Sequence, residues 1–289
     1  QEVANHQHET NYLNRAILLS DGLANVGIVE PTELEHHASE LRNRGISTTT
    51  MGIGADFNED LMERMAIKGG GHFYFIEHAR QIPDYIQREL GEVLSTSARK
   101  VVVEIYIPAA VDATMLNTFQ NDRVGATMKV QFDDMIGGET RSALVKLTVR
   151  PGYVGTTVPI KVTVSYTDVA TDSVRTVTSS EAVLTYATSS EAERETSNSV
   201  VTEDMAMQEA ARAREEALKY DAVGDYDRSA QVLAGAAAYV ANIAPASPAA
   251  MAEAAALDDE RAQAPSGFTS IARKAMHYAK STTQQSRKR

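Results

Sequence analysis

The chain has 289 residues, with 28 Lys and Arg against 39 Asp and Glu, a formal net charge of −11, no cysteine and no tryptophan. An acidic chain repels a phosphate backbone, which argues against nucleic acid as a general partner, and the lack of thiols excludes disulfides and thiolate zinc sites. No run of about 18 apolar residues is present to read as a membrane-spanning helix, and the length gives room for two or three domains.

The run Arg15 to Ser20 is apolar without polar alternation, as expected of a strand covered on both faces in a parallel sheet. It ends at Ser20-Asp21-Gly22. Ligands in such sheets bind beyond the carboxyl ends of the strands, which makes Asp21 the first candidate site residue. An Asp-Gly pair after a strand is equally ordinary turn chemistry, with the carboxylate capping amides and the glycine free to take positive φ. Pro31 opens a helix running to about Arg44, with Pro and acidic residues in its first turn. Ile46 to Gly54 is β-branched enough for a second strand. Asn58 is the expected N-cap of the next helix, which stops at Gly69-Gly70-Gly71. His72 to Ile76 makes a third strand, and a helix from about Arg80 to Ser95 closes the unit. Strands alternating with helices predict crossover connections and a parallel, doubly wound sheet.

Three segments in this order, Leu18 to Gly27, Thr50 to Gly54 and Ala66 to Tyr74, resemble the von Willebrand factor type A domains, especially bacterial members with a Ser-Asp-Gly turn. The resemblance covers about residues 12 to 96. It implies a binding module that holds Mg²⁺ or another divalent cation at the top of the sheet, with a protein partner often completing the coordination. One residue carries over from the family's metal loops, Asp21, with Ser20 beside it and Gly22 and Asn25 shaping the loop. The family's main ligands lie on an Asp-x-Ser-x-Ser loop and a threonine upstream of that turn, and neither is found here. The nearest pattern, Asp227-Arg228-Ser229-Ala230-Gln231, lacks the last serine and falls in a helical segment. The resemblance therefore implies the C-terminal half of such a domain, an incomplete metal site with weak or absent cation binding, and an exposed edge at strand 15–20 prone to self-association.

Beyond Arg99 the pattern changes to short alternating runs: Lys100 to Pro108, Ala126 to Phe132, Ser142 to Val149, Val158 to Tyr166, Ser173 to Thr178 and Ala182 to Tyr186. Turns are expected at Asn121-Asp122, Gly137-Gly138, Pro151-Gly152 and Asp168 to Asp172. This spacing predicts a β-sandwich. It also resembles the β-rich domain that follows the A domain in bacterial relatives, including Gly138-Glu139-Thr140-Arg141 before a strand. Residues 189–202 are polar and read as a linker. Helices are then predicted over Glu203 to Tyr220, Asp227 to Ile243 and Ala249 to Ala262, with a disordered tail from Ser281 to Arg289. The first two resemble one tetratricopeptide-type hairpin, too few copies for a solenoid. The expected organisation is a partial A-type domain over 1–97, a β-sandwich over 98–188, the linker, and a helical hairpin region over 203–289.

Catalytic signatures are not found. Phe57 stands where a dinucleotide fingerprint starting at Gly52 needs a small residue, and there is no nucleophile elbow or phosphate loop. His36 and His37 are adjacent and diverge on a helix, His6 and His8 lie in a polar leader, and His72 and His78 flank a strand in packing or surface roles. The reading is a non-enzymatic protein-binding or adhesion-type module. Its alternative is a regulatory partner of an ATPase or another enzyme complex. The compartment stays open, with a bacterial envelope or extracellular setting favoured over the cytoplasm.

Overall fold

The computed structural model describes residues 14–23, 27–178, 181–285 and 287–288. The chain divides into two compact units, one formed by residues 1–93 with 205–284 and the other by 94–204 with 285–289.

The first unit opens with three parallel strands, β1 (Asn14–Ser20), β2 (Ile46–Ile53) and β3 (Gly70–Ile76), adjacent in that order. Helices α1 (Pro31–Asn43), α2 (Glu59–Gly69) and α3 (Ile82–Ser95) alternate with the strands as the pattern predicts. Asn58 caps α2, its side chain accepting the Leu61 amide at 3.0 Å. Two clusters, Ala38 with Leu61 and Met65, and Phe57 with Met62, Ala66 and Phe73, pack α1 and α2 on one face of the sheet. On the other face, Ile17, Met51 and Tyr74 meet Ile82, Tyr85 and Ile86 of α3. Burying each such large side chain stabilises by about 1.5–3 kcal/mol, so these two layers hold the sheet in place. Among the described residues β1 is an edge strand, with Leu18 and Leu19 partly exposed on alternate faces.

The turn into β3 is so tight that side chains do not fit. A Cβ on Gly71 would lie 2.8 Å from the Thr49 amide nitrogen and closer still to the Thr48 carbonyl, both backbone groups of the neighbouring strand. Backbone cannot swing aside as a side chain can. Gly71→Ala is expected to destabilise the first unit by about 3 kcal/mol, measured by urea unfolding followed by circular dichroism.

The rest of this unit is helical: α5 (Ser199–Ala222, from Met205 onward in this unit), α6 (Tyr226–Ile243), α7 (Pro248–Gln263) and α8 (Ser270–Gln284), with α4 (Ser189–Ala192) preceding them in the second unit. The first three long helices match their predicted spans to within a few residues. The fourth corrects the expected disorder after Ser281, which is helical as far as Gln284. Segment 189–202, read as a linker, contains α4 and the first turn of α5. The helical core is mostly alanine, with Ala206, Ala210, Ala217, Ala236 and Ala250 around Leu233, Val240 and Leu257. Small side chains let helices approach closely but bury little area each, so polar contacts across helices carry more weight here.

The second unit is antiparallel. Strands β4 (Thr96–Tyr106), β6 (Asn121–Val124), β7 (Thr127–Ile136), β10 (Thr157–Asp168) and β11 (Ser173–Thr178) run in the order β11-β10-β4-β7-β6, and β12 (Ala182–Thr185) also pairs with β10. A separate ribbon joins β5 (Val111–Met115) to β9 (Val145–Val149), and the short β8 (Thr140–Arg141) follows the Gly137-Gly138 turn. Residues of the large sheet and of the ribbon enter one apolar cluster around Ile107, Val111, Val130 and Phe132. The expected turn at Asn121-Asp122 is corrected: both residues pair with β7 as part of β6. The segment Gly138 to Arg141 has a structural role. Arg141 is almost fully buried, pairs with Glu139 at 2.9 Å, and donates to the carbonyls of Phe132 and Asp134.

Candidate functional site

The carboxyl ends of the three parallel strands present the chain's exposed acidic loops: Asp21 after β1, Asp56 after β2, and Glu77 with His78 after β3. Ser20 is the last residue of β1, and its hydroxyl donates to the Gly22 carbonyl at 2.8 Å. That bond closes a local turn. Asp21 stands exposed at its apex. The positive φ that an Asp-Gly turn allows is taken by Gly27 at +78°, not by Gly22. Asn25 lies outside the described residues. The same β1–α1 connection exposes Leu23, Ile28 and Val29, at 65%, 43% and 49%. Exposed apolar side chains in the same connection as an exposed carboxylate suit contact with another protein better than catalysis.

The donor set does not fit a resident cation by itself. A hard divalent ion takes at least six oxygen ligands, and this turn offers one carboxylate and a hydroxyl already committed to a carbonyl.

A second polar constellation, not anticipated in the sequence, lies inside the sheet's α3 face. Arg15 of β1, Thr49 of β2, and His72 and Tyr74 of β3 converge on Glu89 and Glu92, one turn apart on α3, and Arg15 also donates to the Ser47 hydroxyl of β2. Glu89 is fully buried and accepts from Arg15 at 2.6 Å, Thr49 at 2.9 Å and Tyr74 at 2.8 Å, with His72 Nδ1 at 2.6 Å. Glu92 is 3.7 Å from Arg15 and 3.5 Å from His72. His72 thus lies within β3 and is buried, the packing alternative of the two roles expected for it. Burial alone would raise the Glu89 pKa. The His72 hydrogen bond and charge, the Arg15 charge and the Tyr74 hydroxyl outweigh it and hold the carboxyl well below the usual range. Tyr74 moves the other way, its phenol pushed up by burial first and by Glu89 second.

His72, Glu89 and Glu92 offer ligand atoms within 4.8 Å of one another, a donor set suited to a divalent ion. Yet Glu89 already accepts hydrogen bonds at both oxygens, and the Arg15 guanidinium stands where a cation would neutralise it. The arrangement therefore acts as a closed ion network pinning the edge strand β1 to α3. Nothing about it resembles a nucleophile with its base.

In the second unit, an open cavity of about 570 Å³ is walled by Val149, Val158, Leu184 and Tyr186. Its polar rim of Glu191, Arg194 and Glu195 is exposed to solvent and forms no catalytic grouping.

Residues 1–88 match the family model of the von Willebrand factor type A domain. Over 94 residues the chain is 32% identical to the protein YfbK of Escherichia coli (strain K12), a match spanning 32% of this chain and 16% of YfbK. Among solved structures it resembles a von Willebrand factor type A protein from Catenulispora acidiphila, with a TM-score of 0.66 at 14% identity, over 84% of this chain and 58% of that one. The ArnB paralog VWA2 from Sulfolobus acidocaldarius gives a TM-score of 0.54 at 15% identity, over 98% of this chain and 66% of that one. The human COPII-coat protein Sec24c gives 0.53 at 11% identity, over 93% and 40% respectively. At these identities the structural likeness is one of fold.

Proposed function

Because residues 1–88 make this chain a von Willebrand factor type A domain protein, we propose that it works as a non-enzymatic protein-binding module whose contact face is the carboxyl edge of the β1-β2-β3 sheet. The observation that carries this reading is that the exposed Asp21 carboxylate and the exposed apolar side chains of Leu23, Ile28 and Val29 belong to one β1–α1 connection at that edge. Apolar side chains supply contact area, and a central carboxylate gives a partner's basic group, or a cation completed by the partner, something to orient on. In this proposal metal dependence is a property of the complex and not of the chain alone. Self-association through the β1 edge is its competitor, since an edge strand with exposed leucines can also template a second copy.

Photo-crosslinking tests the reading. A crosslinking residue at position 23 or 28 is expected to trap a discrete protein in the producing cells, while one at exposed Lys161 of the second unit traps none. Crosslinks only between copies of this chain would support the competitor, and equal capture from position 161 would remove the case for this face. Asp21→Ala is expected to abolish the crosslink from position 23 while changing stability by no more than about 0.5 kcal/mol, as for other exposed positions. Calorimetric titration of the isolated chain with Mg²⁺ and Mn²⁺ is expected to give no saturable tight binding, and saturation lost in Asp21→Ala would place a complete site within the chain or its dimer.

A further inference from the structure

The β2–α2 loop, residues 54–58, belongs to the proposed contact face, yet its backbone is held by a helix more than 200 residues away. The Ser270 hydroxyl, at the start of α8, donates to the Ala55 carbonyl at 2.9 Å across 215 positions of sequence. Lys274, one turn later, donates its ammonium to the Phe57 carbonyl at 3.1 Å, pairs with Glu59 at 2.8 Å and lies 4.5 Å from the centre of the Phe57 ring. Lysine is seldom buried, and this one is 2% exposed. Phe57 fills the space that a Cβ on Gly52 would occupy, so the ring under the ammonium rests directly on the end of β2. Farther along α8, His277 Nδ1 and Lys280 Nζ both reach Glu63 Oε2, at 2.6 and 2.9 Å.

We infer that α8 is a positioning strap: Ser270 and Lys274 hold the carbonyls of Ala55 and Phe57, and thereby fix the loop that the sheet presents at its contact face. The physical reason lies in the loop itself. Gly54 donates to the Ile76 carbonyl at the base of the turn, while the carbonyls of Ala55 and Phe57 are met by side chains of α8. Those partners come from the far end of the chain. A buried ammonium shared among a carbonyl, a carboxylate and an aromatic face is a costly arrangement to break, because the charge would be left without compensation. Burial would raise the Glu59 pKa, and the Lys274 hydrogen bond leads the effects that more than offset it, so the Glu59 carboxylate stays ionised at neutral pH. The C-terminal helices are thereby coupled to one loop of the face, and anything that lifts α8 releases that loop. The strap's role in binding rests on the contact-face reading. Its existence does not.

Hydrogen exchange on the full chain separates the two. In Lys274→Met, the Gly54, Leu61 and Met62 amides are expected to exchange about tenfold faster, as fits the loss of charge-assisted bonds in a locally opening segment. The β1 amides of Ile17 to Leu19 are expected to stay unchanged. In Ser270→Ala, which removes one hydroxyl at a half-buried position, the rise is expected at Gly54 alone and about threefold. Ser229→Ala serves as the control, since it deletes an α5–α6 hydrogen bond and touches neither α8 nor the loop. Unchanged exchange at Gly54 in Ser270→Ala overturns the strap, and so does an equal rise in Ser229→Ala. If Lys274→Met does not fold, the Ser270→Ala result decides alone. Failure of the Asp21 crosslink would remove the contact-face reading and leave the exchange result standing.

Discussion

Arg15→Met is expected to lower the stability of the first unit by roughly 3–5 kcal/mol, the range for removing one partner of a buried ion pair. Methionine keeps the apolar stem but leaves Glu89, with no exposed surface, beside Glu92 without the guanidinium that spans them. Nearly all helix in the chain lies in that unit, so urea unfolding followed at 222 nm reports the loss. A change under about 1 kcal/mol would place Arg15 among surface pairs of little weight. Acid should weaken the same network in the wild type. The folded Glu89 pKa lies below the ordinary 4.5, so its contribution is complete above that pH and falls away as the pH drops beneath it. Glu89→Gln is expected to be less stable at pH 7 and to lack that acid limb. Tyr74 acts at the other end, since its raised pKa keeps the phenol protonated in the fold and costs stability as the pH rises past 10.

The elements of this first unit were legible because each is punctuated locally. Pro31 at the start of α1, Asn58 at the cap of α2 and the glycines before β3 mark the boundaries without reference to anything distant. The strands of the second unit were legible by alternation, least so for β5 and β6. Strand β6 is exposed along its whole length and carries Asn121-Asp122, so it has neither the apolar face nor the residue types that announce a strand.

The polar network under the sheet was not legible, for a physical reason. Its members come one or two at a time from four elements, and Glu89 and Glu92 look like the solvent face of a helix. In fact α3 inverts the usual rule, burying those two carboxylates while Leu90 remains 54% exposed. Helix α8 hid in the same way. Apart from Met276, its buried residues are Lys274, His277, Lys280, Ser281 and Gln284, a polar series in which Lys274, His277 and Lys280 meet Glu59 and Glu63 of α2. Candidate residue Asp21 was legible as the end of a strand, whereas the exposure of Leu23, Ile28 and Val29 belongs to a connection that no periodicity describes.

The alanine-rich helical layer places an equal demand on one arginine, and Arg214→Met is expected to cost roughly 3–5 kcal/mol at pH 7. Arg214 of α5 is 2% exposed, pairs with Glu260 of α7 at 2.8 Å and with Glu253 about two turns earlier on the same helix. Burial pushes the Glu260 pKa up, and Glu253 and Asp259 add to it, so even in the wild type the guanidinium only partly offsets the cost of that charge. Burial would lower the Arg214 pKa, and the two carboxylates overcome it, keeping the cation charged. Without it, two carboxylates about two turns apart on α7 face a core of methyl groups. The alanines around them have no side-chain length to close the gap, and no donor to replace the lost fork. Since Glu260 already takes up its proton above 4.5, acidification relieves the variant, and its deficit is expected to be smaller at pH 5 than at pH 7, opposite in sign to the acid response carried by Glu89. Arg214→Lys should recover part of the loss, because one ammonium lacks the planar fork that serves both carboxylates at once. Equal deficits at the two pH values would mean that lost packing, and not the two unpaired carboxylates, sets the cost.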